Sequence, residues 1–193
     1  MRAQGVIIGH HGCPKALARR ILFEDELLRP GTHSWDWLGT GIYFWEASLE
    51  RALDWNPSYR ATARENWCAL GAVVNLGNCL DLFDRECIAD VQKAYSHVAD
   101  IFRDAGMELP RNLAGGPGDR QFSKRLLDCL VIDHLHELNR EQGKPEYDTV
   151  RCGFSEGAEL YPGAMLFSQT HIQICVRNPH CILGYFKPIG VVL

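Results

Sequence analysis

The stretch Leu38-Gly39-Thr40-Gly41-Ile42-Tyr43-Phe44-Trp45 decides the fold class of this chain. Residues 28–40 carry proline, glycine, serine and two tryptophans, which is typical of an ordered loop. The apolar and aromatic run over 41–45 then predicts a strand. Ser48 follows the run and is a good N-cap residue, so a helix over 48–55 is expected directly after the strand.

Hydrophobic spacing and turn residues divide the remainder of the chain into further elements. The strongest helix is predicted over 84–106, where apolar residues recur near the helical period. Pro14 opens another helix that runs to 22, since proline is favourable at an early helical position. Strands are predicted over 4–9, 69–76, 79–82, 147–153, 171–177 and 181–186, with helices over 124–140 and, as a shorter piece, 59–67. Strands towards both ends, with helices inserted between them, favour an α+β fold.

Length and composition are those of one folded domain, 1–193. The 193 residues are 46% hydrophobic and 23% charged, which is ordinary for a folded soluble protein. A formal net charge of -4 argues against a general nucleic-acid binder, without excluding a local basic groove. No segment reaches the apolar length of a membrane helix, and the first residues do not resemble a secretion signal. We therefore expect a cytoplasmic protein with no membrane partner, or an effector exported without a cleaved signal.

Eight cysteines and eight histidines raise the question of disulfides or a metal ion. No two cysteines form a Cys-x-x-Cys pair and several stand among apolar neighbours, so buried free thiols are expected. His134 and His136 are two residues apart on a predicted helix. They point about 200° apart around its axis and cannot share one ion. The sequence predicts no metal site.

A second short motif lies upstream at His10-His11-Gly12-Cys13, at the predicted end of the first strand. Paired with the Tyr43 strand, it suits a pocket that holds a nicotinamide. Gly12 leaves its backbone amide and carbonyl open to the carboxamide, and Tyr43 offers a flat face to the pyridine ring. Each half also has a simpler explanation, because a His-Gly pair can merely end a strand and an aromatic residue in a β-run is usually core.

The order and spacing of these pieces resemble the ADP-ribosyltransferase superfamily. The chain is most similar to the diphtheria-toxin and poly(ADP-ribose)-polymerase branch, whose signature is His-Tyr-Glu. The helix after the tyrosine strand and a strand over 169–176 continue the resemblance. It implies an α+β, ADP-ribosyltransferase-like split β-sandwich with flanking and inserted helices. It also implies that NAD is the substrate.

The resemblance implies a role for individual residues. His11, preferred to His10 because the family's histidine directly precedes the glycine, would hold a ribose hydroxyl of NAD. Gly12 would bind the carboxamide, and Tyr43 would stack on the nicotinamide. Ser48 and Trp55 are further cofactor-binding candidates, with Trp55, and Trp45 behind it, as the aromatic residue that covers the second ring face.

The third position of the signature departs from the family. Gln173 stands where relatives carry glutamate, so the chain looks like a His-Tyr-Gln variant. Glutamine keeps a hydrogen bond to the ribose 2′-hydroxyl but lacks the charge that stabilises an oxocarbenium-like state, a loss of about 2–4 kcal/mol. Three interpretations stay open: Gln173 suffices, Glu156 or Glu159 in the preceding loop supplies the charge, or NAD is bound without turnover.

Two further groups of polar residues are candidates for function. His171 lies two residues before Gln173 on the same strand face, where it could orient or deprotonate an acceptor, although a solvated strand histidine is commoner. Four cations surround a glycine-rich segment and could hold phosphates, although such a cluster is more often a solvated edge. These cations are Arg111, Arg120, Lys124 and Arg125.

The resemblance implies NAD-dependent mono-ADP-ribosyl transfer to a macromolecule, protein or nucleic acid, with release of nicotinamide. The size fits a compact bacterial toxin or defence effector, whose partner would be an antitoxin or immunity protein. Two alternatives remain: an NAD glycohydrolase, and a catalytically inactive module that binds NAD or ADP-ribose.

Overall fold

Seven strands and four helices make up the part of the chain that the computed structural model describes, residues 5–55, 64–116, 119 and 121–193. The strands are β1 (Val6–Pro14), β2 (Ile42–Glu46), β3 (Trp67–Asn75), β4 (Cys79–Asp81), β5 (Thr149–Phe154), β6 (His171–Val176) and β7 (Ile182–Phe186). The helices are α1 (Lys15–Phe23), α2 (Leu49–Asp54), α3 (Arg85–Asp104) and α4 (Leu126–Glu141), and short 3-10 turns lie at Arg64–Asn66 and Pro179–Cys181. The predicted α+β class is confirmed.

The strands form one sheet in the order β4-β5-β6-β2-β1-β3-β7, antiparallel except for the pair β4–β5. β1 pairs with β3 along its whole length, from Val6↔Asn75 to Pro14↔Trp67. In the described part of the chain β1 shares only two pairs with β2, Gly9↔Glu46 and His10↔Trp45. The centre of the sheet therefore contains its shortest ladder.

Side chains that alternate along the strands build a layer on each side of the sheet. On one side Phe44, Leu70 and Ile174 pack under α1 and the C-terminal segment. The opposite side, called here the front face, is covered in two places. Helices α3 and α4 cover Leu80, Val150 and Cys175, while α2 covers Trp45 and Ala69. Tyr43, Trp45 and Gln173 lie on the front face between these two helical layers.

The main departure from the predicted elements is the length of β1. The strand was expected to end at residue 9, but it continues to Pro14 because β3 begins at Trp67 and pairs with every residue of β1. His10, His11 and Gly12 consequently lie within a strand and do not end one. Of the predicted helix over 59–67, Arg64–Asn66 form a short 3-10 turn and Trp67 already belongs to β3; residues 56–63 lie outside the described residues.

All eight cysteines are free, and seven of them are buried, which confirms that they pack as small apolar side chains. Within the described ranges, no helix combines the length and apolarity needed to cross a membrane.

Candidate functional site

The sheet opens between β1 and β2 directly beyond the pair His10↔Trp45. The next opposed residues would be His11 with Phe44 and then Gly12 with Tyr43. Instead, Nδ1 of His11 lies 2.8 Å from the main-chain oxygen of Tyr43. A ring nitrogen at this distance from a carbonyl oxygen donates its hydrogen, so the His11 imidazole replaces the strand-to-strand bond that this oxygen would otherwise accept.

Gly12 lies at the edge of this opening. The amide of Ala47 donates to the carbonyl of Ile8, so the backbone groups of every second residue of β1, Gly12 included, face away from β3 and towards β2. The Cα of Gly12 meets α2 closely, because a Cβ there would lie 2.3 Å from the carbonyl oxygen of Ala52. Packing therefore requires glycine at this position, whatever its backbone groups bind.

Tyr43 is anchored by its hydroxyl group. The hydroxyl donates to the carbonyl oxygen of Gly39 at 2.6 Å and accepts from the amide of Leu38 at 2.8 Å. Burial raises the pKa of Tyr43 well above its ordinary value, so the phenol stays neutral. The ring is only partly buried, on the front face beside the opening.

Ser48 and Trp55 lie at the two ends of α2. Ser48 occupies the predicted N-cap position, although its side chain makes no capping hydrogen bond. Trp55 caps the other end, is 49% exposed and packs against Trp45 with ring centroids 5.6 Å apart. The carbonyl oxygen of Trp55 lies 3.1 Å from where a Cβ of Gly12 would stand, so the structure brings Trp55 next to Gly12.

Three buried polar atoms beside the opening have no hydrogen-bond partner among the described residues. They are Nδ1 of His10, Nε1 of Trp45 and Nε1 of Trp67. The Trp67 nitrogen lies 3.2 Å from the Cβ position of Gly12, and His10 and Trp45 are the last pair before the opening. Buried polar atoms normally have partners, so these atoms are available to a polar ligand or to solvent.

Gln173 follows next in the same row of the sheet, opposite Trp45 on β2 and Cys152 on β5. Its Nε2 lies 3.1 Å from Nε2 of His171. Nδ1 of His171 donates to the carbonyl of Gln169 at 2.8 Å, so the neutral ring must accept at Nε2, and the Gln173 amide donates to it. Burial lowers the pKa of His171 and keeps the ring neutral. The Oε1 atom of Gln173 therefore keeps its capacity to accept a hydrogen bond.

Of the two loop carboxylates, the structure brings Glu156 to this cluster and leaves Glu159 outside it. Glu156 Oε2 lies 2.6 Å from Nη2 of Arg51 and 3.6 Å from Nδ1 of His171. Burial raises the pKa of Glu156 despite the neighbouring guanidinium of Arg51. Glu159 is exposed and accepts from the amide of Gly163 within its own loop.

Arg51 is the functional candidate that the sequence did not reveal. It lies on α2, where an arginine is ordinarily a solvated helix cation, and no motif separates it from its neighbours. Only the fold brings α2 against the loop after β5, so no local signal could have found the pair.

Among the described residues, no three His, Cys, Asp or Glu side chains are placed to hold a metal ion. His136 is buried, with Nδ1 bonded to the carbonyl of Ile132, while His134 faces His97 with 2.8 Å between ring nitrogens. The two α4 histidines thus point to different surroundings, as their spacing predicts.

Comparisons of the chain with protein-family models, with curated proteins and with solved structures found no match. The interpretation of the site therefore depends on the sequence motifs and on the geometry given above.

Proposed function

We propose that the protein is an NAD-dependent mono-ADP-ribosyltransferase that modifies a macromolecule and releases nicotinamide. The observation that supports this best is the opening of the sheet between Gly12 and Tyr43, next to the row that holds Trp45 and Gln173 on the same face. The two-pair ladder between β1 and β2 also suits the split β-sandwich of the ADP-ribosyltransferase fold, because it leaves the two halves of the sheet joined at a short seam.

In this proposal the nicotinamide occupies the opening. The carboxamide meets the backbone groups of Gly12, the ring lies on Tyr43, and Trp55 covers its second face. The unpartnered nitrogens of His10 and Trp45 supply further polar contacts. His11 holds Tyr43 through its carbonyl and reaches a ribose hydroxyl with its other nitrogen, while Ser48 borders the pocket from the start of α2.

Gln173 then acts on the nicotinamide ribose. Its Oε1 accepts the hydrogen of the 2′-hydroxyl, which raises electron density on the sugar as the glycosidic bond breaks. The bonding pair leaves with nicotinamide, and an acceptor nucleophile forms the new bond to C1′ and loses its proton. His171 fixes the orientation of the Gln173 amide and is therefore a positioning residue, while the Glu156 carboxylate supplies negative charge two side chains away.

The acceptor is a protein or a nucleic acid. This activity fits a toxin or defence effector that acts in the cytoplasm and is bound by an antitoxin or immunity protein. One observation favours a second candidate, the inactive NAD-binding module. Glu156, the carboxylate that lies beside His171, is already paired with Arg51 at 2.6 Å, so its negative charge is largely neutralised.

The test is incubation with NAD labelled separately in nicotinamide and in adenylate, with pools of protein, DNA and RNA. Transfer of the adenylate label to one pool, with equal release of nicotinamide, is expected and should persist in the presence of a chelator. Release without transfer would indicate a glycohydrolase. Binding of NAD without release would indicate the inactive module.

A further inference from the structure

We propose that Arg125 forms a binding site for a phosphate group beside Gln173. The inference rests on the proposed function only for the source of that phosphate, which is either the diphosphate of NAD or a phosphate on the acceptor. The site itself depends only on the contacts that surround Arg125.

Among the described members of the predicted basic cluster, Arg125 alone is partly buried. Arg111 and Lys124 are exposed, and Arg120 lies outside the described residues. The Arg125 side chain is 18% exposed and precedes the first residue of α4. The structure therefore distinguishes Arg125 from the other cations of this cluster, which the sequence alone does not do.

Two aromatic rings fix the guanidinium group. Its central carbon lies 3.9 Å from the ring centroid of Trp37 and 4.8 Å from that of Phe154. Trp37 is held in turn, because its indole nitrogen donates to the carbonyl of Ser123 at 2.9 Å. Stacking on aromatic faces keeps the planar donor group in one orientation, which reduces the entropy lost when it binds an anion.

The hydrogen-bonding capacity of Arg125 is poorly used. Its nearest carboxylate, Asp128, is 3.7 Å away, and its contact with the carbonyl of Gln121 is 3.3 Å long. Its Nε atom is buried and has no partner among the described residues. By contrast, Arg177 lies 2.6 Å from Asp133. The Arg125 guanidinium is partly buried and its ion-pair partner Asp128 is 3.7 Å away, so donors stay available, and its planar group is suited to bidentate binding of a phosphate.

The position of Arg125 places this anion close to the proposed chemistry. Phe154, under the guanidinium, is paired with His171 across β5 and β6, and Cys152 is paired with Gln173. Arg125 therefore lies over β5, one strand (roughly 5 Å) across from β6 and two residues (roughly 7 Å) along the strand from the row of Gln173. A phosphate bound here would lie on the same face as the ribose that Gln173 is proposed to hold, about one ribose-to-phosphate step away.

The experiment is calorimetric titration of the whole protein with inorganic pyrophosphate, ADP-ribose and nicotinamide. Three variants are compared with the natural chain: Arg125→Met, Arg125→Lys and the exposed neighbour Lys124→Met. Arg125→Met should weaken pyrophosphate binding at least about tenfold, and Arg125→Lys about threefold, since lysine keeps the charge and loses the planar group. Lys124→Met removes the same charge from an exposed site and should change affinity less than about twofold. Nicotinamide binding should not change.

Each result decides a different point. Loss of ADP-ribose affinity in Arg125→Met assigns the site to the diphosphate of NAD, whereas loss of pyrophosphate affinity alone assigns it to a phosphate of the acceptor. Equal pyrophosphate binding by the natural protein and Arg125→Lys, or equal losses in Arg125→Met and Lys124→Met, would overturn the site. If pyrophosphate binds through Arg125 but NAD releases no nicotinamide, the phosphate site stands and the proposed transferase activity fails. If Arg125→Met does not fold, the lysine variant carries the comparison alone.

Discussion

At the scale of single residues, the side chain of Tyr43 has two separable parts. The hydroxyl is bonded to Gly39 and Leu38 and belongs to the loop before β2, while the partly exposed ring faces the opening. Tyr43→Ala should weaken NAD binding by about 1–2 kcal/mol, because the ring contact is lost. Titration of NAD measures this.

Tyr43→Phe is the matched control. It keeps the ring and leaves the amide of Leu38 without its acceptor, so it should lower the free energy of unfolding by about 1–3 kcal/mol with NAD affinity nearly unchanged. Unchanged NAD affinity in a folded Tyr43→Ala protein would contradict the assignment of the nicotinamide to this ring.

Some residues of the candidate site could be predicted from the sequence, and others could not. Tyr43 and Gln173 could be identified because each stands in a short motif on a strand, and alternation along β6 put His171 on the same face. The pairing of Arg51 with Glu156 and the partial burial of Arg125 could not be predicted, because both follow from contacts between elements distant in the chain. Glu156 and Glu159 were equivalent in sequence, and only the course of the loop separates them.

At the scale of elements, the packing of α2 on β1 depends on Gly12. A methyl group there would lie 2.3 Å from the carbonyl of Ala52, a backbone atom that moves only with the helix. Gly12→Ala should therefore lower the free energy of unfolding by about 1–3 kcal/mol. Chemical denaturation measures the change.

Gly184, on β7, is the control, because a Cβ there would meet nothing within 4 Å. Gly184→Ala should stay within about 1 kcal/mol of the natural protein, as expected for a strand glycine without close neighbours. Equal effects of the two substitutions would show that the contact between β1 and α2 is not tight.

Most elements could be predicted because their signals are local. The helix predicted over 84–106 is observed as α3 at Arg85–Asp104, with Asp84 capping it through bonds to the amides of Glu86 and Cys87. The length of β1 could not be predicted in this way. Residues 10–14 are held in the strand by β3, more than fifty residues later, and not by their own pattern.

At the scale of the whole molecule, stability should depend on pH through a buried histidine. His136, on α4, is fully buried against the ring of Tyr147, and burial lowers its pKa from 6.5 to about 4. Between about pH 6.5 and pH 4, the unfolded chain binds this proton more readily than the folded chain. The contribution of neutral His136 to the free energy of unfolding is therefore present above about pH 6.5 and is lost as the pH falls towards 4. His136 alone should remove about 2 kcal/mol between about pH 7 and pH 5.

Denaturation at both pH values measures this, with His136→Leu as the test and the exposed His180→Leu as the control. His136→Leu should reduce the loss on acidification, leaving the part due to His10 and His171, whose pKa values burial also lowers. His180→Leu should leave the loss as it is. An undiminished loss in His136→Leu would show that other groups govern acid stability.

Gln173 is proposed to support turnover of NAD, and the rate of nicotinamide release, measured together with NAD affinity, tests this role. Gln173→Ala should reduce the rate by about 100-fold or more with little change in affinity, because the bond from the ribose strengthens as charge develops. Gln173→Glu, which supplies the carboxylate of the His-Tyr-Glu signature, should retain or raise the rate, and Gln92→Ala, on the exposed side of α3, should change neither. If Gln173→Ala releases nicotinamide at the natural rate and Glu156→Ala loses that release, the proposed role of Gln173 is wrong and the chemistry belongs to the loop after β5.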